Sequence, residues 1–135
     1  VCNKVGGIYT VLSTRARTLQ QRFTDKIIFI GPDLNNPNAD FTEDPALFPE
    51  WQKEINKNLT FQAKVGRWDI PGTPPVILID FKPFFIKRDE LFYEMWESFR
   101  VDSSKSYGDY DESCIFAYAV GLVIEHCYQF YELSD

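Results

Sequence analysis

Near the start of the chain, apolar residues recur at helical spacing. Ile8, Val11, Leu12, Ala16, Leu19 and Phe23 fall on one stripe, while Arg15, Arg17, Gln20 and Gln21 take the other side. That period predicts an amphipathic helix over residues 8–22. The pattern then changes. "KIIFIGP" is a short apolar run with β-branched residues, stopped by Gly31-Pro32, and predicts a buried strand. "DLNNPNADFTEDP" is polar and rich in turn formers, so a loop is expected. "PALFPEWQKEINK" predicts a short helix. "LTFQAKVGRW" alternates and predicts a strand ending at Gly66, and "DIPGTPP" is a tight connection.

"VILIDF" is the clearest strand, apolar on both faces as a central strand is. "KRDELFYEMWESF" predicts a helix, "VDSSKSYGDY" a loop, and "DESCIFAYAVGLVIEHCYQFYEL" a long helix apolar around most of its circumference. Asp109 with Glu112 resembles a capping box at its start. Strands apolar on both faces with helices between them predict an α/β fold, a parallel sheet with flanking helices. No repeat, low-complexity segment or internal linker divides the chain, so one domain is expected.

Composition narrows the partners. The chain is 44% hydrophobic and 25% charged, a globular balance. Its net charge of −6 argues against nucleic acid, because phosphate binding wants a basic face. The local cluster Arg15, Arg17 and Arg22 reads as a solvated helix face. The uncharged run "SCIFAYAVGLVI" is too short to span a bilayer, so no membrane is expected. Cys2, Cys114 and Cys127 show no CxxC and no Cys/His ligand spacing, which predicts small buried residues in a reducing compartment, no metal site and a cytoplasmic protein. The sequon Asn58-Leu59-Thr60 carries little weight in that setting.

One stretch asks for a chemical reason. "KVGGIYTVL" sets Lys4, Gly6 and Gly7 directly before the predicted helix. Glycines there cost backbone entropy and pack nothing. A helix N-terminus leaves N–H groups unpaired and carries positive partial charge, glycines let an anion approach it, and a lysine adds a full charge. The chemistry is that of a phosphate site, most naturally a nucleotide diphosphate, although the spacing is neither that of a P-loop nor that of a dinucleotide fold. The plain alternative is a strand-to-helix turn that needs unusual φ and ψ. Such a loop belongs after a strand. Only Val1, Cys2 and Asn3 precede Lys4, and the chain has no initiator methionine, so a segment of a longer protein is expected. A fragment with uncovered sheet edges is expected to be marginal in stability or to associate.

"NKVGGIYTVLSTRA" resembles the opening of glycogen synthases of the animal and fungal type. "IIFIGPDL", "VGRWDIPGTPPVILIDF" and "YDESCIFAYAVGLVIEHC" continue that resemblance over essentially the whole chain. It implies the N-terminal half of a GT-B glycosyltransferase: residues 1–135 form a single incomplete Rossmann-like domain, and the C-terminal nucleotide-binding domain is absent. The implied activity is that of a retaining glucosyltransferase moving glucose from UDP-glucose to the non-reducing end of an α-1,4-glucan, without metal or cofactor and with a fragment inactive alone. Its partners would be the nucleotide-sugar donor and a glycogen acceptor; a homo-oligomer of the full-length protein is compatible with it. Carried over by position, Lys4 contacts donor phosphate, and Gly6 and Gly7 admit the loop backbone to it. No catalytic residue carries over. The spelling "KVGGI", where ADP-glucose enzymes read KTGGL, favours UDP-glucose. An ADP-glucose synthase and a non-catalytic carbohydrate-binding or interaction domain are the alternatives.

Other candidates are weaker. His126 lies in the last helix with neighbours that do not match the family's histidine stretch, and reads as packing. Glu43, Asp44, Asp109, Asp111 and Glu112 read as turn and cap residues rather than a hydrolytic pair. Ser13 and Ser113 lack a histidine at a plausible place for a triad. Trp51, Trp68 and Trp96 would stack on sugar if exposed, but such residues are more often core. Arg67 is expected to hold a strand end through hydrogen bonds.

Overall fold

A computed structural model describes residues 2–3, 6–37, 39–57, 62–103, 105 and 109–134. The chain forms two compact units, Val1–Asp80 and Phe81–Asp135. The first holds helix α1 (Gly6–Arg22), strands β1 (Phe29–Pro32) and β2 (Phe41–Glu43), helix α2 (Pro49–Lys57), and strands β3 (Ala63–Trp68) and β4 (Pro75–Ile79). The second holds a 3₁₀ helix (Lys82–Lys87), α3 (Arg88–Phe99) and α4 (Asp109–Ser134).

The sheet order is β1-β4-β3-β2. β1 and β4 run parallel, with Ile30 opposite Ile77. β3 is antiparallel to both β4 and β2. The sheet is therefore mixed, and the expected parallel arrangement holds only for β1 and β4. The reason is connection length. A parallel crossover needs a dozen or more residues, whereas β3 and β4 are joined by the turn that starts at Asp69-Ile70, which can only reverse the chain. Gly72, at φ +95°, makes that reversal possible.

β4 is the central strand that its composition predicted, buried along its whole length. Cross-strand partners share a face. Phe29, Val76, Leu78 and Trp68 lie on the α1 side and form one core cluster with Cys2 and Ala16, flanked by Tyr9 and Leu12. Val65, Ile77 and Ile79 are buried on the other side.

Two predicted elements change. β3 runs past Gly66 to Trp68, and β2 lies within the segment expected to be a loop. The two findings have one cause. Gly66 pairs with Glu43, and a Cβ on it would stand 2.2 Å from the Thr42 carbonyl oxygen, so the missing side chain is what lets β2 dock. The apolar stripe of α1 is also rotated from its predicted setting. Ile8 and Val11 are 75% and 68% exposed, while Gln20 is 6% exposed. Gln20 tolerates burial because its Nε2 donates to Asp25 Oδ1 at 2.7 Å and its Oε1 accepts from Asp25 N at 3.2 Å.

In the second unit, α4 buries Asp111, Ile115, Ala119 and Val123, a stripe with a repeat of four. Phe81 meets Phe116 edge-on at 5.7 Å, and Phe84 meets Tyr118 at 6.1 Å. α3 ends on Arg100 in left-handed backbone, φ 57°, whose N–H returns to the carbonyls of Met95 and Trp96. Among the described residues, no helix is long and apolar enough to cross a membrane. The sequon and the side chain of the Asp109 cap lie outside the described residues.

Candidate functional site

α1 begins at Gly6, so both glycines lie in its first turn and not before the helix as their spacing suggested, because an open helix end tolerates residues that pack nothing. Lys4 lies outside the described residues. Gly7 is exposed, has no positive φ, and a Cβ built on it meets no atom within 4 Å. Among the described residues, neither a turn conformation nor crowding therefore asks for glycine at position 7. The first turn of α1 itself carries no acidic residue.

Around this helix start, the chain is tied to the sheet by polar contacts. The Asn3 side-chain amide donates to the Pro32 carbonyl at 3.3 Å. The Asp40 N–H donates to the Cys2 carbonyl at 2.9 Å, and the Tyr9 hydroxyl donates to the Asp40 carboxylate. The Tyr9 ring packs edge-on against Trp68, with centroids 5.9 Å apart. Its carboxylate partner, seconded by burial, raises the Tyr9 pKa. Cys2 is fully buried, and desolvation pushes its thiol up to about 12, so it is a packing residue and not a nucleophile.

At the carboxyl end of β1, Asp33 takes the Asn35 N–H at 3.0 Å and pairs with Lys64 Nζ at 3.1 Å. Asp33, Asn35, Asn36, Phe41, Lys64 and Leu78 border a cleft of about 230 Å³. Ligands of open α/β sheets bind off the carboxyl ends of parallel strands, and that rule was the signal by which Asp33 could have been found. Nothing in the loop pattern pointed to Asp40, whose role comes from contacts distant in sequence.

The remaining candidates separate by burial. Trp51 and Trp68 are fully buried, as core residues, whereas Trp96 is 44% exposed. With Arg88, Asp89, Phe92, Tyr93 and Ser103, Trp96 lines a cleft of about 480 Å³ in the second unit. Arg88 there is held by Asp111, Nε to Oδ2 at 2.7 Å. Asp44 accepts the Ala46 N–H and pairs with Arg67, so Asp44 and Asp111 serve turns and ion pairs. Arg67 holds the end of β3 through Asp25, Asp44 and the Thr73 carbonyl. Arg15, Arg17 and Arg22 are exposed on α1, and His126 is half-buried within α4.

The family model for glycogen synthase matches residues 1–134. The chain is 30% identical over 131 residues to a glycogen [starch] synthase of Caenorhabditis elegans, covering 93% of this chain and 19% of that protein. It is 30% identical over 124 residues to one of Neurospora crassa, covering 89% of this chain and 17% of the relative. With the liver glycogen [starch] synthase of Homo sapiens it shares 31% identity over 105 residues, 75% of this chain and 15% of the relative. The chain thus spans less than a fifth of the length of these relatives. A match running from the glycine loop through α4 leaves one assignment: the chain belongs to the glycogen synthase family.

Proposed function

We propose that this chain forms most of the N-terminal Rossmann-like domain of a two-domain GT-B enzyme, a retaining glucosyltransferase that moves glucose from UDP-glucose to the non-reducing end of an α-1,4-glucan. Lys4 contacts the donor diphosphate, and Gly6 and Gly7 bring the first N–H groups of α1 to it. A lysine and a helix end oppose the charge that grows on the departing diphosphate as the glycosidic bond to it breaks. The second domain supplies the contacts to the base, so the 135-residue chain alone is inactive.

The observation that carries this reading is Gly7. It is exposed at the start of α1, and among the described residues nothing requires the absence of a side chain. A role for the bare backbone then faces outward, toward a ligand. The animal and fungal relatives support UDP-glucose as the donor. Exposed Trp96 beside Tyr93, Arg88 and Ser103 also supports contact with a glucan, since aromatic faces and hydroxyl-bonding groups suit sugar rings.

The test is labelled-glucose transfer to glycogen by the full-length enzyme, with UDP-glucose and ADP-glucose side by side. Transfer from UDP-glucose that falls about a hundredfold or more in Lys4→Ala, with melting unchanged, is expected. Preference for ADP-glucose overturns the donor assignment. Absence of transfer from either donor leaves a carbohydrate-binding domain.

A further inference from the structure

The same loop raises a mechanical question. Glycine is a poor helix former, so a helix that opens on a glycine pair needs outside ties to keep its first N–H groups in place for a phosphate. Among the described residues, Asp40 is in position to supply such ties. Asp40 grips the chain on both sides of the loop. Its backbone N–H donates to the Cys2 carbonyl at 2.9 Å, before the loop. Its carboxylate accepts the Tyr9 hydroxyl, after it. Cys2 and Tyr9 are thereby held by a single residue.

Asp40 is itself firmly placed. Its carbonyl accepts the Asp69 N–H at 2.9 Å, and the next residue, Phe41, begins β2 opposite Trp68. Tyr9 is held from its other side by the Trp68 ring. The Asn3 amide on the Pro32 carbonyl adds a tie to the end of β1. The path from the sheet to the glycine loop is short: β2–β3 pairing places Asp40, and Asp40 places Cys2 and Tyr9.

We infer that Asp40 is a positioning residue that holds the Gly6–Gly7 start of α1 in place for donor phosphate through Tyr9 and Cys2. The inference rests on the phosphate reading of that loop. It assigns Asp40 and Tyr9 no contact with substrate. Misplacing a binding loop by a fraction of an ångström weakens donor capture while the rest of the enzyme stays folded.

The test uses the full-length enzyme and steady-state kinetics with UDP-glucose and glycogen varied separately. Asp40→Ala removes the Tyr9 contact and keeps the backbone bond to Cys2. It is expected to lower kcat/KM for UDP-glucose about tenfold and to leave KM for glycogen unchanged. Tyr9→Phe, which keeps the ring on Trp68, is expected to match it, and the double variant to be no worse than either. Asp40→Asn, whose amide oxygen still accepts the hydroxyl, restores most of the loss. Thr42→Val controls for general loosening, because it removes only the bonds from the Thr42 hydroxyl in β2 to the Asp69 carboxylate just after β3 and should leave donor kinetics alone.

If Lys4→Ala is impaired while Tyr9→Phe and Asp40→Ala are not, Asp40 has no positioning role and the phosphate reading stands. Equal changes in donor and glycogen KM, or losses that follow the melting temperature alone, also overturn the inference. If Lys4→Ala is fully active, the phosphate reading fails and takes the inference with it.

Discussion

Arg67 and Asp25, 42 residues apart in sequence, face each other through two N–H···O contacts at 3.0 and 3.3 Å. The pair ties the end of β3 to the turn after α1, and Asp44 and the Thr73 carbonyl complete the set of acceptors around the guanidinium. A single side chain thus joins the turn after α1, the loop after β2 and the turn between β3 and β4.

This pair has a pH signature. The Arg67 guanidinium, and after it the Gln20 amide, hold the Asp25 carboxyl below its ordinary value of 3.8. A carboxyl with a lowered folded pKa stabilises the protein above its unfolded pKa and loses that contribution as pH falls through the folded value. The pair is partly exposed, so the effect is modest, and Arg67→Ala is expected to cost about 1 kcal/mol at pH 7. Denaturant midpoints of the wild type and Arg67→Ala should converge as pH drops below 3.8. A constant gap down to strongly acid pH would show that Arg67 acts through packing instead.

Gly66→Ala should be the most damaging small substitution in the sheet. Its new methyl group would meet the Thr42 carbonyl oxygen at 2.2 Å and the Glu43 Cα at 2.8 Å, both backbone atoms that cannot swing aside. A loss of roughly 3 kcal/mol or more is expected in equilibrium unfolding, with release of β2. Faster amide exchange at Thr42 and Glu43 would report that release directly.

Gly7→Ala should do the reverse to stability. The site is open and the residue is helical, so alanine gains about 0.5–1 kcal/mol through lower entropy in the unfolded chain. The same methyl group stands where the proposed diphosphate approaches, and the full-length enzyme should lose affinity for UDP-glucose. A variant both more stable and weaker toward its donor would separate function from folding at this position. Unchanged donor binding would remove the ligand role of Gly7.

The tryptophans divide by exposure. Trp68→Ala should cost about 3–5 kcal/mol, because the indole is fully buried in the core cluster with Val76 and Leu78. Trp96→Ala should change stability by about 0.5 kcal/mol or less. It should raise KM for glycogen if its cleft meets the acceptor. Acrylamide should quench the Trp96 emission and leave that of Trp51 and Trp68 nearly untouched.

Much of this was readable in the chain itself. The first four residues of "VILIDF" are all apolar, and only a strand covered on both faces can use such a run, so β4 could be placed at the centre of the sheet. "KVGGIYTVL" announced a helix start with an exposed backbone, because glycine there has little local benefit. Local chemistry decided these features, and local chemistry is what a sequence writes down.

Tertiary structure alone decided the rest. The direction of β3 followed from a connection too short for a crossover, and the existence of β2 from the bare surface of Gly66. The buried stripe of α1 turned toward Gln20 because Asp25 was there to satisfy its amide, which no periodicity could register. Asp40 looked like one more polar residue in a loop rich in turn formers. Its place between Cys2 and Tyr9 arises only once β2 pairs with β3, since hydrogen bonds between segments tens of residues apart are set by the sheet and not by the residues next to them.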